Sequence, residues 1–264
     1  PAATAMQLHN IAYYPVKSMR GIHTDAAAIT PQGITHDREW LLSTPDGVFI
    51  TARSEPELLL WQAIPDAHGL TLTASDGERR HIPHPDSRSS TTVKVWNDVF
   101  CAHPCDEDSA AWLSQKIGQP CRLHYLGNSS RILSHSQQPL SFADGAPYLL
   151  TNMASLAELN RHLAAPVGMD RFRANLVIDG DTPYAEDGWR HIRIGTVTFE
   201  LFKPCSRCVM ITIDPLTGAK SPLAEPLRTL AKTHRLPEGA CFGVNMVALN
   251  SGSVTVSDTI TILD

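Results

Sequence analysis

The chain has 264 residues, of which 42% are hydrophobic and 19% are charged, and its formal net charge is −5. This length and composition allow an apolar core without crosslinks, so we expect a globular protein of one large or two modest domains. Charges of both signs are interspersed without a sustained basic stripe, which argues against a nucleic-acid partner. No stretch approaches the roughly 20 apolar residues that cross a bilayer, and the first residues do not resemble a secretion signal. We therefore expect a cytoplasmic protein with no membrane partner.

The cysteines are too widely spaced for a small disulfide-bonded scaffold, so we expect reduced thiols. The six positions are Cys101, Cys105, Cys121, Cys205, Cys208 and Cys241. One pair, Cys205 and Cys208, has Cys-x-x-Cys spacing. No second pair and no neighbouring histidine pair completes a four-ligand set, which argues against structural zinc. The sequence also lacks a close cysteine cluster of the kind that binds iron and sulfur.

The first third of the chain is predicted to be mostly β. Short runs that alternate apolar and polar residues extend from Leu8 to Val99 and are separated by turn signals. Hairpins are predicted at Pro45-Asp46-Gly47, Asp76-Gly77 and Asn97-Asp98.

Three helices are predicted further along. The first covers Ser109–Ile117 and ends at Gly118. The second begins at a capping-box pattern, Ser155 to Glu158, and ends before Pro166. The third covers Pro222–His234, with three leucines facing inward: Leu223, Leu227 and Leu230. Strands are predicted over Ala174–Ile178, Ile192–Phe202, Val209–Ile213 and Gly243–Leu263.

This order of elements predicts a mainly β protein with a few helices, of the α+β class, and not a doubly wound sheet. A boundary between two β-rich halves is predicted near residues 105–125. We place an N-terminal domain at residues 1–115 and a C-terminal domain at residues 116–264. The serine-rich segment Gly127–Gln138 is predicted to be a loop.

Cys208 is the first candidate for chemistry. It follows Arg207 and precedes an apolar run that begins at Val209. A free thiol has a pKa of about 8.5, so a nearby cation or a metal is needed to favour the thiolate at neutral pH. Arg207 offers such a cation. A lone cysteine is ordinarily a small buried apolar residue. The flanking proline and arginine, and the turn at Asp214–Gly218, weaken that default.

Several cations lie where an alternating pattern predicts strands. Arg38 is predicted to share a strand face with Trp40, and Arg171 to share one with Arg173. Lys17 and Ser18 follow a proline and are predicted to project from a turn. A buried guanidinium needs a carboxylate or a bound anion. Internal carboxylates are available at Asp37, Glu39 and Asp170. A phosphate could instead collect the set Lys17, Ser18, Arg38 and Arg173.

Taken together, these segments resemble the MOSC family, which is named after the C-terminal domain of molybdenum cofactor sulfurase. The resemblance rests on Tyr14-Pro-Val-Lys-Ser18, Asp37-Arg-x-Trp40, Arg171-Phe-Arg-x-Asn175, Cys205-Ser-Arg-Cys208 and Asp214-Pro-x-Thr-Gly218. It is strongest to the branch of the mitochondrial amidoxime reducing component. It implies a MOSC β-barrel preceded by a β-rich N-terminal domain, with a molybdenum-pterin cofactor held between them.

The resemblance also implies the roles of individual residues. Cys208 matches the cysteine that binds molybdenum and takes part in catalysis. The implied cofactor-binding positions are Lys17, Ser18, Arg38, Gly145, Ala146, Arg173, Asn175, Ser206, Arg207 and Asn245. Cys205 is expected to be a bystander.

The implied activity is reduction of N-hydroxylated compounds, including hydroxylamines, amidoximes and N-hydroxylated bases. Since no iron–sulfur domain is present in the sequence, electrons are expected from a separate flavin or iron–sulfur protein. Two alternatives stay open. The chain could carry the cofactor or handle sulfur without reductase activity. It could also be a thiol enzyme in which Cys205 and Cys208 cycle through a disulfide. Because such sites usually begin a helix, the strand predicted after Cys208 argues against the last reading.

Overall fold

The computed structural model describes residues 5–264. As predicted, the protein is mainly β with a few helices. The N-terminal strands are β1 (Leu8–Tyr13), β2 (Ile22–Thr24), β3 (Ala26–Thr30), β4 (Gly33–Ile34), β5 (Trp40–Ser43), β6 (Gln62–Asp66), β7 (Gly69–Thr73), β8 (Arg79–Pro83), β9 (Thr91–Val95) and β10 (Asp98–Pro104). Helix α1 (Glu107–Ile117) follows β10.

The second half adds eleven strands and two α-helices within the part of the chain that the structure describes. The strands are β11 (Arg122–Tyr125), β12 (Arg131–Ile132), β13 (Pro139–Leu140), β14 (Tyr148–Asn152), β15 (Leu176–Ile178), β16 (His191–Ile194), β17 (Val197–Ser206), β18 (Arg235–Leu236), β19 (Gly239–Ala248), β20 (Gly252–Thr255) and β21 (Ile260–Ile262). The helices are α2 (Met153–Arg161) and α3 (Leu227–Thr233). No helix among residues 5–264 is long and apolar enough to cross a membrane.

The largest sheet joins the two ends of the chain. Its strand order is β2-β1-β15-β14-β19-β17-β16-β21, with β18 added beside β19. Strand β1 pairs with β15, and β3 pairs with β20, so residues 8–34 lie among strands of the C-terminal half. The sheets therefore cross the predicted domain boundary between residues 115 and 116. That boundary stays a prediction.

The remaining N-terminal strands form two smaller sheets, β5-β11-β10-β9 and β6-β7-β8. The hairpins predicted at Asp76-Gly77 and Asn97-Asp98 are present as the pairs β7·β8 and β9·β10. Two large apolar cores are present, and each includes residues from both halves of the sequence. One core is built around Trp40 and Trp61, and the other around Tyr148 and Phe199. Segments from both halves of the sequence line a cleft.

Two of the predicted helices differ from the structure in detail. Helix α1 ends at Gly118 in a left-handed conformation, as predicted. The capping box at Ser155 is wrong, because Asn152 caps α2 and the Ser155 hydroxyl donates to Glu186 (2.8 Å). Helix α3 begins only at Leu227, and Leu223, predicted to face inward, is exposed.

Three strand predictions near the motifs are also wrong. Val209–Thr212 forms a 3-10 turn that begins directly after Cys208, not a strand. Arg171 lies in another such turn, Met169–Phe172, and Arg173 ends it with a φ of 54°. Arg38 precedes β5 with a φ of 52°. Alternating apolar residues do not distinguish a strand from a short 3-10 turn, since both expose every second or third side chain.

Candidate functional site

The cleft contains a cavity of about 390 Å³ whose wall is formed by segments from both halves. All eleven residues singled out in the sequence lie on this wall. They are Lys17, Ser18, Arg38, Gly145, Ala146, Arg173, Asn175, Ser206, Arg207, Cys208 and Asn245. The fold therefore brings together positions that are up to 228 residues apart in the sequence (245 − 17).

Lys17 is buried in the wall, with 6% of its surface exposed. Its ammonium donates to the Phe142 carbonyl (2.7 Å) and to Asp144 Oδ1 (2.7 Å). Burial lowers the pKa of Lys17. Although desolvation opposes it, the Lys17 ammonium holds the pKa of Asp144 well below its usual range. The indole N–H of Trp96 donates to the same carboxylate oxygen (2.9 Å).

Arg38 and Arg173 both stack on the ring of Tyr14. Their guanidinium carbons lie 4.3 and 4.2 Å from the ring centroid. Arg38 also pairs with the buried Asp37 (2.6 Å), whereas Arg173 donates to the Met19 carbonyl (2.7 Å). Arg173 has no carboxylate partner among the residues that the structure describes, and burial lowers its pKa to about 10. An anion bound here would favour its charged form.

The Tyr14 ring is fixed by its surroundings. Its hydroxyl donates to the Ala174 carbonyl (3.1 Å). A Cβ atom on Gly21 would lie 2.5 Å from the ring, so a glycine is needed there for the ring to take this place. Tyr14 is thus a rigid platform for two cations, and the sequence analysis had not assigned it that role.

Asn175 lies in the cavity wall, but its side chain is used in hydrogen bonds within the protein. The side chain is 1% exposed, and its amide donates to the Ala12 carbonyl (3.2 Å). Its oxygen accepts from the Leu149 backbone (3.2 Å) and from Arg38 (3.3 Å). Asn175 therefore orients Arg38 and ties the strands together.

The remaining predicted positions come from three other segments of the wall. Gly145 and Ala146 belong to the loop between β13 and β14, and Asn245 lies in β19 opposite Lys203 of β17. Ser206 is the last residue of β17.

Cys208 is exposed at the end of this segment, where it caps the 3-10 turn. Arg207, expected to act as a cation for Cys208, instead donates to the Cys205 sulfur (2.9 Å) and to the Phe172 carbonyl (2.7 Å). Its Nε is buried without a partner in the described chain. The 3-10 turn has only four residues, so it offers little of the dipole that activates thiols at helix starts.

Arg171 does not line the cavity. Its guanidinium pairs with Asp214 (3.2 Å) and joins the turn Asp214–Gly218 to the Met169–Phe172 segment. Asp170, predicted as a possible partner for an arginine, pairs with His23 (3.3 Å). Arg171 is thus paired with a carboxylate of the protein, as one of the two alternatives predicted, but the carboxylate is that of Asp214.

Two cavity cations were missed by the sequence analysis, Arg53 and Lys203. Neither has a neighbouring motif that marks it. Arg53 stacks on Trp96 with its guanidinium carbon 4.5 Å from the ring. Together with Lys17, Arg38, Arg173 and Arg207, they give six cationic side chains in the wall, against one carboxylate, Asp144. A wall with this excess of positive charge suits an anionic ligand.

The wall also fits a metal that brings most of its own ligands. Among residues 5–264, no three His, Cys, Asp or Glu side chains are grouped to hold a metal ion. One exposed thiol, Cys208, lies beside a cationic wall. A pterin cofactor that brings sulfur ligands of its own and a phosphate would match both features.

Comparison with known proteins gives two matches that together span most of the chain. Residues 5–120 match the MOSC N-terminal beta barrel domain, and residues 137–261 match the MOSC domain. Mitochondrial amidoxime-reducing component 1 of Mus musculus is 32% identical over 95% of this chain and 80% of its own length. Molybdenum cofactor sulfurase of Danio rerio is 32% identical over 85% of this chain, which spans only 30% of that protein.

A solved structure of the YuaD protein from Bacillus subtilis is 9% identical, covers 97% of this chain and gives a TM-score of 0.43. The family follows from the two domain matches and from the 32% identity to amidoxime-reducing component 1 over 80% of its length. The chain belongs to the MOSC family.

Proposed function

We propose that this protein is a molybdenum cofactor-dependent reductase of N-hydroxylated compounds. The observation that carries the proposal is the single cavity that joins the exposed Cys208 thiol to the cations Lys17, Arg38 and Arg173. Support also comes from the similarity to amidoxime-reducing component 1 over 95% of the chain.

In this proposal the chain holds the cofactor at two points. Cys208 is the thiolate ligand of the metal. Lys17, Arg38 and Arg173 bind the phosphate, with the Ser18 hydroxyl as a further donor. In the free protein the Lys17 ammonium pairs with Asp144. In this proposal the phosphate replaces the Asp144 carboxylate as the partner of Lys17.

When bound, the cofactor supplies two-electron chemistry that removes oxygen from nitrogen. The net reaction converts an N–OH group, two electrons and two protons into an N–H group and water. The electrons come from a separate flavin or iron–sulfur protein. The chain's own part is to orient the substrate and to keep the metal ligand accessible at the mouth of the cavity.

Metal analysis tests the binding part. The protein is made in cells that synthesise the cofactor, and bound molybdenum is measured in the wild type, in Cys208→Ala and in Cys101→Ala. Cys101 is an exposed cysteine outside the cavity and provides the matched control. We expect molybdenum in the wild type and in Cys101→Ala, and strongly reduced molybdenum in Cys208→Ala. Equal metal in all three proteins would contradict the proposal.

A carrier of the cofactor is the second candidate, favoured by the similarity to molybdenum cofactor sulfurase. A reductase assay with benzamidoxime and an artificial electron donor separates the two. Turnover by molybdenum-loaded protein supports the reductase. Failure at full loading supports the carrier.

The dithiol enzyme is tested by Cys205→Ser. The reductase proposal expects this variant to retain activity, because Cys205 is not a metal ligand in it. Complete loss of activity with molybdenum still bound would instead favour a thiol cycle between Cys205 and Cys208.

A further inference from the structure

The side chains of two cations of the cavity wall, Arg53 and Lys203, have no carboxylate or hydrogen-bond partner among residues 5–264, and of these Arg53 stacks on Trp96 whereas Lys203 has no such contact. In the described part of the chain, the Lys203 ammonium has no carboxylate within 4.0 Å, and it makes no hydrogen bond. By contrast, Lys17 and Arg38 pair with carboxylates, and Arg207 bonds a thiol and a carbonyl. The nearby Glu200 is engaged by His135 (2.9 Å). Lys203 is therefore free to bind a ligand.

A β-bulge places Lys203 in the cavity wall. Phe199 and Leu201 point from β17 into the core, and strict alternation would send Lys203 the same way. The register of β17 with β19 shifts between Leu201 and Lys203. Such a shift turns the following side chains to the other face. Lys203 is consequently exposed in the cavity and not buried.

Lys203 also reaches the cavity from a different segment of the chain than the cations assigned to the phosphate. Lys17, Arg38 and Arg173 cluster around Tyr14 and Asp144. Lys203 is on β17, two residues before Cys205, which corresponds to about 7 Å along a strand. It is therefore on the segment that leads to Cys208. The six cations of the wall carry more positive charge than Asp144 and a phosphate of about two negative charges can neutralise together. Positive charge therefore remains for a second anion.

We propose that Lys203 is a specificity-determining residue that binds an anionic group of the substrate, a carboxylate or a phosphate. The inference rests on the proposed function, since it concerns the substrate of the same site. It predicts a preference for N-hydroxylated compounds that carry a negative charge over neutral ones with the same reacting group. An ammonium that is free before binding loses no protein partner when it meets the anion.

The test uses two pairs of substrates that differ in charge. Benzamidoxime is compared with para-carboxybenzamidoxime, and N4-hydroxycytidine with its 5′-monophosphate, so the two pairs distinguish carboxylate from phosphate. The readout is the ratio of kcat/KM for the charged member to that for the neutral member. We expect Lys203→Gln to lower this ratio about tenfold in at least one pair, as loss of a charge-assisted hydrogen bond does.

Three variants control the test. Lys203→Arg keeps the charge and should restore the preference. Lys203→Glu should reverse it. Lys232→Gln removes an exposed lysine of α3 outside the cavity and should leave the ratio unchanged. An unchanged ratio in Lys203→Gln would overturn the inference. So would a loss of molybdenum from that variant, because Lys203 would then be a cofactor anchor.

Binding measurements keep this inference separate from the proposed function. If loaded wild-type protein reduces none of the compounds, the proposed function fails. Calorimetric titration with the same pairs still decides the role of Lys203. Tighter binding of a charged member that Lys203→Gln abolishes supports it, and equal binding of charged and neutral members contradicts it.

Discussion

Three residues of the cavity wall adopt a backbone conformation that side chains rarely take. Ser18, Arg38 and Arg173 have φ angles of 71°, 52° and 54°. Each such residue costs about 1–2 kcal/mol relative to an ordinary conformation. Such strain persists where the surroundings fix it, and here it aims a hydroxyl and two guanidinium groups into one cavity. Six further non-glycine residues with positive φ lie outside the wall, so the strain marks this site only together with the charges gathered there.

Ser18 allows the strain and the hydroxyl to be separated. We expect Ser18→Gly to be more stable than Ser18→Ala by about 1 kcal/mol, because only glycine relieves the positive φ. Both variants lack the hydroxyl and should bind less molybdenum cofactor to a similar degree. Urea unfolding of the cofactor-free proteins and metal analysis check the two effects. If Ser18→Ala were the more stable variant, strain at this position would be refuted.

Among the elements, the pair β5·β11 contains a buried titratable group. His124 of β11 is 4% exposed and lies opposite Leu41 of β5, with Ser43 Oγ 3.3 Å from its ring nitrogen. Burial and the Arg122 guanidinium lower the pKa of His124 to about 4. Strand β5 of this pair contacts the turn that carries Lys17, because the Lys17 backbone donates to the Trp40 carbonyl (2.9 Å).

The lowered pKa predicts acid sensitivity of the fold. In the unfolded chain His124 takes up a proton as the pH falls below its ordinary value of 6.5, whereas the folded protein takes it up only near pH 4. The free energy of unfolding should therefore be unaffected above pH 6.5 and fall by about 3 kcal/mol between pH 6.5 and 4. Urea unfolding of the wild type and of His124→Leu measures this. The variant should lack this part of the pH dependence, and parallel curves would contradict the assignment.

Elements with strong local signals were predictable, and elements shaped by distant contacts were not. Gly118 ends α1 because its conformation is a local property. Ser155 has the right spacing for a cap, but Glu186, 31 residues away, takes its hydroxyl. Lys203 reaches the cavity through a bulge against β19, which no pattern within β17 indicates. The predicted site residues came from cationic segments and from positions that the family resemblance implied, and neither criterion marked Arg53 or Lys203.

At the scale of the whole molecule, the first strands of the chain pair with strands of the C-terminal half. Strands β1 and β3 pair with β15 and β20, and Leu8, Ile11 and Ile29 complete the C-terminal core. Alternation within a strand gives no information about its partner, so this arrangement could not be predicted from the sequence pattern.

The shared core predicts how the chain responds to division. A fragment of residues 116–264 lacks β1 and β3, so we expect it to show no cooperative unfolding alone and to recover a folded complex when coexpressed with residues 1–115. As a control, a protease recognition site is inserted between Ser129 and Ser130 of the intact protein, which is then cut after it has folded. It should remain folded, because all the strands are still present. A cooperative transition in the isolated fragment would establish it as an independent domain.

The cationic wall also bears on how quickly a ligand finds the protein. The chain carries a net charge of −5, yet its cavity gathers six positive side chains. Most of the surface therefore repels an approaching anion, while the cavity mouth attracts it. Such a field guides diffusional encounters and raises association rates at low ionic strength, and salt weakens it over a distance of about 10 Å. The cations that we propose for the phosphate would thus also set the route by which it arrives.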